Sequence, residues 1–525
     1  MMMYIKRFHF LKRKKTKTIF LISILVLATL GGITLQMFIK SKIKKALSED
    51  LPPTIQLTYE NLDFSLLSKN ITLKNIHVVF TEEPSDTIAN ATIKSIFIRN
   101  ISYGKILWNG NLEVDKFIIE NANATYFIKK DTLKRANDKA VKQFDKVIKI
   151  KNFEIKNSGF ESKFVKTDST LIKVEDININ LKNCSVTKET LLAKIPFVYD
   201  SYKIKCGELY LNASKYEAIK IDSINIDKNA FMNGFSLKTK YNKDEFQRKL
   251  RKEKDYIDLK IPTIKIEGLD FGFKNDKLYF EMISGRIKNL KLEMYRNKLL
   301  PDDLVRKPMF LETLYNLPLA ITIPEIKLEN GSIRYSELVK ENTKPGEIFF
   351  AEINSTITNL SNTTDTEIVF INKAKLMGTA PIHLEWSFYK KENHNLYKAY
   401  GIIKNFETEN INPFLKSNLR AEARGTINEL YFTISGDDYT SSGDMKMKYT
   451  NFGFVVLQKD RLGVNKLLTA IGNIFTNDGS KTDENGYRYG EIKVERNPTK
   501  SFFNYLWINV KDGILSTFTS NGKKK

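Results

Sequence analysis

The sequence is poor in the residue types that build most catalytic and metal centres. Its 525 residues include only four histidines, two cysteines and three tryptophans. The histidines His9, His77, His383 and His394 are scattered, and the chain has no HExxH motif, no phosphate-binding glycine loop and no CxxC pair. We therefore expect no cofactor, no metal ion and no enzymatic activity.

The other candidates for chemistry have simpler structural explanations. The acidic pairs at 302–303 and 437–438 lie beside proline or glycine, where aspartate favours caps and turns. A glycosidase-like pair of distant carboxylates therefore has no support in the sequence. Cys184 and Cys206 either pair in an oxidising compartment or remain two buried thiols, and the sequence leaves both possibilities open.

The chain has a single long hydrophobic run, which excludes a polytopic membrane protein. Residues 18–39 carry no charge, and as a helix rising ~1.5 Å per residue they cover the roughly 30 Å of a bilayer core. No small-residue cleavage site follows, so we expect an uncleaved transmembrane anchor. The basic segment 1–17 carries more positive charge than the stretch after the anchor. The positive-inside rule therefore predicts a single-pass protein with a cytoplasmic N-terminus.

The chain is strongly basic without the pattern of a nucleic-acid-binding protein. It carries 84 Lys and Arg against 61 Asp and Glu, a net charge of +23. Much of the excess flanks the predicted anchor, and the rest consists of isolated lysines on strand faces. Arginine clusters and interleaved aromatic residues are absent, so we expect no nucleic-acid partner.

The chain is rich in short segments whose residues alternate between apolar and polar. The clearest is 323–335, in which the Asn-Gly pair at 330–331 predicts a type I′ hairpin turn. That turn would pair Leu328 with Ile333, and Ile326 with Tyr335, on one apolar face. We therefore expect a mainly β protein built from repeated hairpins.

Further copies of this pattern lie at 117–126, 153–160 and 263–271. Their apolar faces are predicted to merge into an elongated, curled antiparallel sheet that forms a groove over residues 51–410. The predicted lining residues of this groove are Phe117, Ile119, Phe153, Ile155, Ile264, Ile266, Leu269, Phe271, Ile326, Leu328, Ile333 and Tyr335.

A distinct C-terminal block is predicted over residues 411–525. Its last helix carries an apolar stripe, which either packs onto the end of the sheet or docks to a membrane or a partner protein. The stripe consists of Phe503, Leu506, Trp507, Val510, Ile514 and Phe518. Helix-prone inserts at 131–147, 236–254 and 299–316 are expected as peripheral helices that cover either an edge or the open side of the sheet, and edge protection is the preferred interpretation.

The apolar face of such a sheet must be covered by a second sheet, by the far side of the same curled sheet, or by a ligand. A two-tailed lipid fits this requirement because its acyl chains gain about 0.8 kcal/mol for each buried CH₂ while its headgroup stays in water. A self-filled sandwich or β-helix would need no ligand. The residue pattern alone leaves both possibilities open.

Several segments together resemble a known family. They are the predicted anchor, residues 59–76, the repeated hairpins, the strands at 425–432 and 442–449, and the ending at 495–507. This arrangement resembles the AsmA-like family of bacterial envelope proteins, and its ending is similar to that of Bacteroidetes-type members.

The resemblance implies an inner-membrane-anchored protein with a periplasmic β-groove. In that family's terms, the protein would bind a phospholipid or another two-tailed lipid and contribute to lipid movement toward the outer membrane, or to maintenance of that membrane. The family offers no catalytic residues to carry over. The alternative is a structural or assembly factor of the cell envelope that acts through protein contacts without lipid transfer.

Overall fold

The structure is a computed structural model that describes residues 29–129, 146–456 and 482–519, apart from gaps at 30, 46, 50, 52, 82–86, 110 and 392–393. The predicted basic segment 1–17 and most of the predicted anchor 18–39 lie outside the described residues. Among the residues that are described, no helix is long and apolar enough to cross a membrane. The chain divides into two compact units, Met1–Gly207 and Glu208–Lys525.

The described part of the first unit is built mainly from seven strands. They are β1 (Ile55–Ser65), β2 (Asn70–Thr81), β3 (Thr87–Arg99), β4 (Leu112–Ile128), β5 (Ile148–Phe164), β6 (Thr170–Val186) and β7 (Ser201–Cys206). A short helix, α1 (Tyr103–Asn109), precedes β4, and a 3-10 turn (Thr190–Leu192) precedes β7. Consecutive strands pair antiparallel except β4 and β5, which run parallel.

The second unit continues the same β-rich pattern. Its strands are β8 (Leu209–Leu211), β9 (Glu217–Ile221), β10 (Ser223–Ile226), β11 (Ala230–Thr239), β12 (Tyr256–Glu267), β13 (Asp270–Lys274), β14 (Lys277–Glu281), β15 (Ser284–Lys288), β16 (Lys291–Asn297), β17 (Leu319–Leu338), β18 (Gly346–Ser361), β19 (Ile368–Leu376), β20 (Ala380–Lys391), β21 (His394–Glu407), β22 (Ala421–Gly436), β23 (Thr440–Val456) and β24 (Arg488–Glu495). The helices in its described residues are α2 (Lys243–Lys249), α3 (Phe310–Tyr315), α4 (Asn412–Leu419) and α5 (Phe502–Thr519), and a 3-10 turn (Thr408–Ile411) precedes α4.

The prediction of a mainly β protein is confirmed, but the prediction of a wholly antiparallel sheet is wrong. In the second unit β17 runs parallel to β14, β15 and β16, whereas its other edge pairs antiparallel with β18. Parallel neighbours need a connection that returns the chain to the same end of the sheet. The segment 298–318, which contains α3, provides that return between β16 and β17.

The predicted hairpin at 323–335 is also wrong, because these residues lie within one continuous strand of 20 residues, β17. Leu328 pairs with Ser355 and Ile287, and Ile333 pairs with Phe350 of β18. Asn330 does adopt the left-handed conformation that a type I′ turn requires, with φ 55°. It uses this conformation at an irregularity inside the strand, where the register with β18 shifts.

The other predicted hairpins are also wrong, because their two halves do not pair with each other. The copies at 117–126 and 153–160 lie inside β4 and β5, with Asn121 and Asn157 in the left-handed region at φ 52° and 47°. The copy at 263–271 is broken at Gly268, yet β12 pairs with β15 and β13 pairs with β14. The interruptions at 121 and 157 therefore mark irregularities within long strands, whereas the one at 268 separates β12 from β13.

The two cysteines form no disulfide with each other. The β6–β7 ladder runs from Lys182 opposite Ser201 to Asn178 opposite Lys205. Cys184 lies beyond one end of this ladder, and Cys206 lies beyond the other. The strand register therefore keeps the two cysteines apart, and of the two thiols only Cys184 is buried, whereas Cys206 is half-buried.

We predict that position 330 tolerates only residues that adopt the left-handed conformation. Asn330→Val should lower the free energy of unfolding by about 1–2 kcal/mol, because a β-branched residue is strained at positive φ. Asn330→Gly should lower it by less than Asn330→Val does, because both variants lose the amide hydrogen bond to Asn289 but only glycine adopts this conformation freely. Urea unfolding of the two variants measures the difference. Equal stability of the two variants would contradict the assigned backbone geometry.

Candidate apolar binding face

The first unit carries rows of apolar side chains that cross its strands. Row A crosses seven strands as Leu62, Leu73, Ile96, Ile119, Ile155, Ile179 and Ile204. Row B crosses the same seven strands as Phe64, Ile71, Ile98, Phe117, Phe153, Leu181 and Tyr202. Directly opposite apolar pairs of this kind stabilise neighbouring strands by about 0.2–1 kcal/mol each. The rows therefore fix the register of the sheet and place its apolar side chains next to one another.

A third row lies further along the same strands. Row C crosses β1 to β6 as Leu57, Val78, Ala91, Ala124, Phe160 and Val174. Members of all three rows meet in one apolar cluster around Leu62, Leu73 and Ile76, which places the rows on the same face of the sheet. The first unit thus presents a broad apolar face.

A line of polar residues separates row C from row A, and we call this line the crease. It crosses the strands at Glu60, Asn75, Lys94, Asn121, Asn157 and Asp176. Four of these six residues have φ between 47° and 52°. On every one of these strands, the apolar residues change from odd to even positions, or the reverse, across the crease. On β2, β4, β5 and β6 a left-handed residue accommodates this change, so both sides of these strands keep their apolar residues on one face.

The second unit repeats the arrangement. Row D crosses eight strands as Leu211, Ile219, Leu237, Leu259, Leu292, Ile333, Phe350 and Leu376. Row E comprises Ile224, Met232, Ile264, Ile287 and Leu328. Row F comprises Ile226, Ala230, Ile266, Gly285, Ile326, Ile357, Phe370 and Trp386.

A second crease separates row D from rows E and F. Its left-handed residues include Gly234, Asn289, Asn330 and Glu352. The amide side chain of Asn330 donates to Asn289 Oδ1 at 2.9 Å, and the backbone N–H of Asn330 donates to Asn354 Oδ1 at 3.2 Å. Asparagine therefore suits this line for two reasons: it tolerates positive φ, and it bonds across to the next strand.

The structure places nine of the twelve predicted lining residues on these rows, and Leu269, Phe271 and Tyr335 lie outside them. In the first unit, Phe117 stacks on Phe153 with ring centroids 5.8 Å apart, and Ile119 pairs with Ile155. All four are half-buried. At the β1–β2 end, Ile43 and Leu47 of the N-terminal helix, whose described residues are 29, 31–45, 47 and 48, pack on this face. On β3 to β7 the members of rows A and B are half-buried except Leu181, which is buried.

In the second unit, the predicted residues divide between buried and half-buried positions. Ile266 and Leu269 are buried in a small cluster with Ala230, against which Ile264 and Phe271 pack. Ile326, Leu328 and Ile333 are half-buried members of rows F, E and D.

Tyr335 lies beyond row D on β17. Its hydroxyl donates to Glu337 Oε2 at 2.6 Å. Burial, and then the negative charge of Glu337, raises the pKa of Tyr335 above its usual range. Tyr335 therefore stays neutral at ordinary pH and ends the apolar row with a polar contact.

Helices cover the C-terminal strands of the second unit and close a large core there. Phe310 of α3 lies 4.6 Å from Phe388 between ring centroids. Phe502 of α5 lies 5.2 Å from Phe388 and 5.3 Å from Tyr397. This part of the sheet is filled by the protein's own side chains, but helices cover it, and not the second sheet or β-helix of the self-filled alternative.

The C-terminal helix packs onto the sheet, but with a different face from the one its apolar stripe predicted. Leu506 and Phe518 are buried, and Val510 and Ile514 are partly buried. Phe503 and Trp507 are 68% and 37% exposed. The most deeply buried line consists of Tyr505, Asn509, Gly513 and Thr517.

Close backbone packing explains the shifted face of α5. A Cβ atom at Gly490 of β24 would lie 2.6 Å from the backbone nitrogen of Thr517, and one at Gly513 would lie 2.7 Å from Met445 Cε. Only small side chains fit where the helix and sheet approach this closely. Hydrophobicity alone therefore did not identify the buried side of the helix.

A buried carboxylate anchors the start of the C-terminal helix, and no sequence pattern predicted it. Glu253 is 6% exposed. Its carboxylate lies 2.7 Å from Lys298 Nζ and 3.0 Å from Lys500 Nζ, and Lys500 also contacts Asp302 at 2.9 Å. We call these four residues the Glu253 clasp. They tie the segments before β12, after β16 and before α5 together.

No family model and no curated protein sequence matches the chain. The candidate face therefore stands on its own geometry.

We predict that the Glu253 clasp makes stability sensitive to acid. Burial alone raises the pKa of Glu253, but hydrogen bonds from Lys298 and Lys500 outweigh burial and lower it. A lowered pKa stabilises the fold fully above the unfolded value of about 4.3, and that stabilisation is lost as the pH falls through the folded value. Denaturant unfolding between neutral and acid pH should show this loss.

Glu253→Gln is the matched variant for this test. At neutral pH it should be about 2 kcal/mol less stable, because the half-buried Lys298 and Lys500 both lose a charge-assisted hydrogen bond to the buried Glu253 carboxylate. Its stability should also fall less than that of the wild type as the pH drops below about 4. Parallel pH profiles for the two proteins would contradict the assigned role of the clasp.

Proposed function

We propose that this protein binds two-tailed lipids on its apolar face and transfers them within the bacterial envelope. In this proposal, residues 18–39 anchor the chain in the inner membrane, and the bulk of the chain lies in the periplasm. The face lines a curled groove, and the lipids move toward the outer membrane or maintain it. The observation that supports the proposal most strongly is that rows A, B and C of the first unit are half-buried, apart from the buried residues Leu62, Phe64, Leu73 and Leu181.

The dimensions of these rows support a lipid ligand. Seven strands spaced about 4.8 Å apart make rows A and B about 29 Å long. The hydrocarbon core of a bilayer is about 30 Å thick and holds two tails end to end, so one tail fits well within a row. Each CH₂ that leaves water contributes about 0.8 kcal/mol, so two long tails gain enough to balance their loss of bilayer contacts.

The N-terminal helix supports delivery from a membrane. Within the described helical residues 31–45, large apolar side chains are strongly exposed at Ile33, Leu35, Met37 and Phe38. Gln36 Nε2 of this helix donates to the carbonyl oxygen of Phe64, the first member of row B, at 3.1 Å. A helix embedded in the bilayer up to this point would place the start of rows A and B beside the lipid headgroups.

A structural or assembly role is the second candidate. The closed core beneath α3 and α5 supports it, since that part of the second unit is complete without a ligand. Stoichiometric recovery of an envelope protein without lipid would favour this role.

The test compares two aspartate substitutions at adjacent positions of β6. Ile179 is a row A residue, and Asn180 points to the opposite face. The full chain is purified from membranes in mild detergent, and its bound lipid is extracted and quantified by mass spectrometry. Ile179→Asp should reduce bound two-tailed lipid about tenfold, because a carboxylate on the face opposes acyl-chain burial. Asn180→Asp is the matched control and should retain lipid at the wild-type level.

Thermal unfolding of the same samples separates lipid loss from misfolding. We expect both variants to unfold close to the wild-type temperature, because residue 179 is only half-buried. The proposed function is overturned if the wild-type protein carries no lipid. It is also overturned if Ile179→Asp loses lipid only in proportion to its loss of folded protein.

A further inference from the structure

The last strand of the sheet has one edge that no described strand covers. β24 pairs with β23 on one side through residues 488–495. On its other side, the backbone N–H of Glu491 donates to Ser516 Oγ at 2.8 Å, and the backbone N–H of Lys493 donates to Asp512 Oδ2 at 2.9 Å. Two side chains one helical turn apart on α5 therefore accept the hydrogen bonds that a neighbouring strand would accept.

Other contacts hold α5 against this edge. Gly490 of β24 touches the backbone of the helix at Gly513 and Thr517. At the helix end, the guanidinium of Arg488 donates to the carbonyl oxygen of Phe518 at 3.3 Å. At the helix start, Lys500 belongs to the Glu253 clasp. The helix is fixed along its length beside β24.

We propose that α5 is an edge cap that prevents β24 from pairing with β24 of a second copy of this chain. Exposed strand edges are templates for joining sheets, and native proteins cover them for that reason. This inference is independent of lipid binding.

The residues of β24 identify a second copy as the partner that the cap excludes. Glu491 and Lys493 both direct their N–H groups outward, and residues with that orientation form the hydrogen-bonded pairs of an antiparallel ladder. In a two-fold pairing centred on Ile492, Glu491 of one copy would oppose Lys493 of the other, and the reverse. Two opposite-charge pairs would therefore support the joined edge.

The experiment removes both acceptors with Asp512→Ala and Ser516→Ala in the full chain. Sedimentation analysis in density-matched detergent should then show a dimer, with association about tenfold stronger than for the wild type. Lys511→Ala changes an exposed residue of the same helix and should leave the chain in its wild-type state. Asp512→Asn with Ser516→Thr keeps both acceptors and should do the same.

Charge reversal distinguishes edge pairing from general aggregation. Adding Glu491→Lys to the Asp512→Ala, Ser516→Ala variant should abolish the dimer, because lysines of the two copies would then face each other at two positions. Adding Lys493→Glu as well restores both charge pairs and should restore the dimer. The proposal is overturned if the Asp512→Ala, Ser516→Ala variant folds but does not dimerise. It is also overturned if dimerisation does not respond to these charge reversals.

If the double variant does not fold, the single Ser516→Ala variant carries the test. It frees one N–H and should give weaker association that the Glu491→Lys change again abolishes. Absence of that response in the folded single variant would overturn the proposal.

Discussion

The structure depends on one constraint: every long strand must keep its apolar side chains on the same face on both sides of a polar interruption. A regular strand alternates its side chains strictly, so two consecutive polar residues would send the following apolar residues to the wrong face. Left-handed residues such as Asn121, Asn157 and Asn330 resolve the conflict. These left-handed residues line up from strand to strand and form the creases. The apolar rows lie on either side of each crease.

This constraint also explains why the sequence predicted some features well and others wrongly. Alternation alone identified β-strands and placed Phe117, Ile155 and Ile326 among the apolar rows. It could not separate a hairpin from an irregular strand, because Asn330 takes positive φ in both. The distinguishing signal was the recurrence of the interruption in neighbouring strands, at positions 121, 157 and 176. Pairing partners such as Leu328 and Ser355 are distant in sequence and depend on the whole sheet.

The two units use the same kind of rows in different ways. In the second unit, α3 and α5 fill the face of the C-terminal strands and form a core that includes Leu430, Met447 and Tyr505. In the described part of the first unit, the buried apolar cluster lies at the β1–β2 end, and Ile155 and Ile179 remain half-buried. Helix packing of this kind follows from close approach at Gly490 and Gly513, which hydrophobic periodicity does not reveal. The Glu253 clasp likewise joins segments that are far apart in sequence.

The central claim is that acyl chains contact the rows of the first unit. The most direct measurement replaces Phe153 in row B with a photoreactive benzophenone amino acid, irradiates living cells and identifies the adduct by mass spectrometry. The same residue placed at Asn180, on the opposite face, is the reference. The account predicts an adduct with a two-tailed lipid at position 153 and none at 180. Two results would contradict this claim. One is that position 153 crosslinks only to segments of the protein itself, and the other is that both positions label lipid equally.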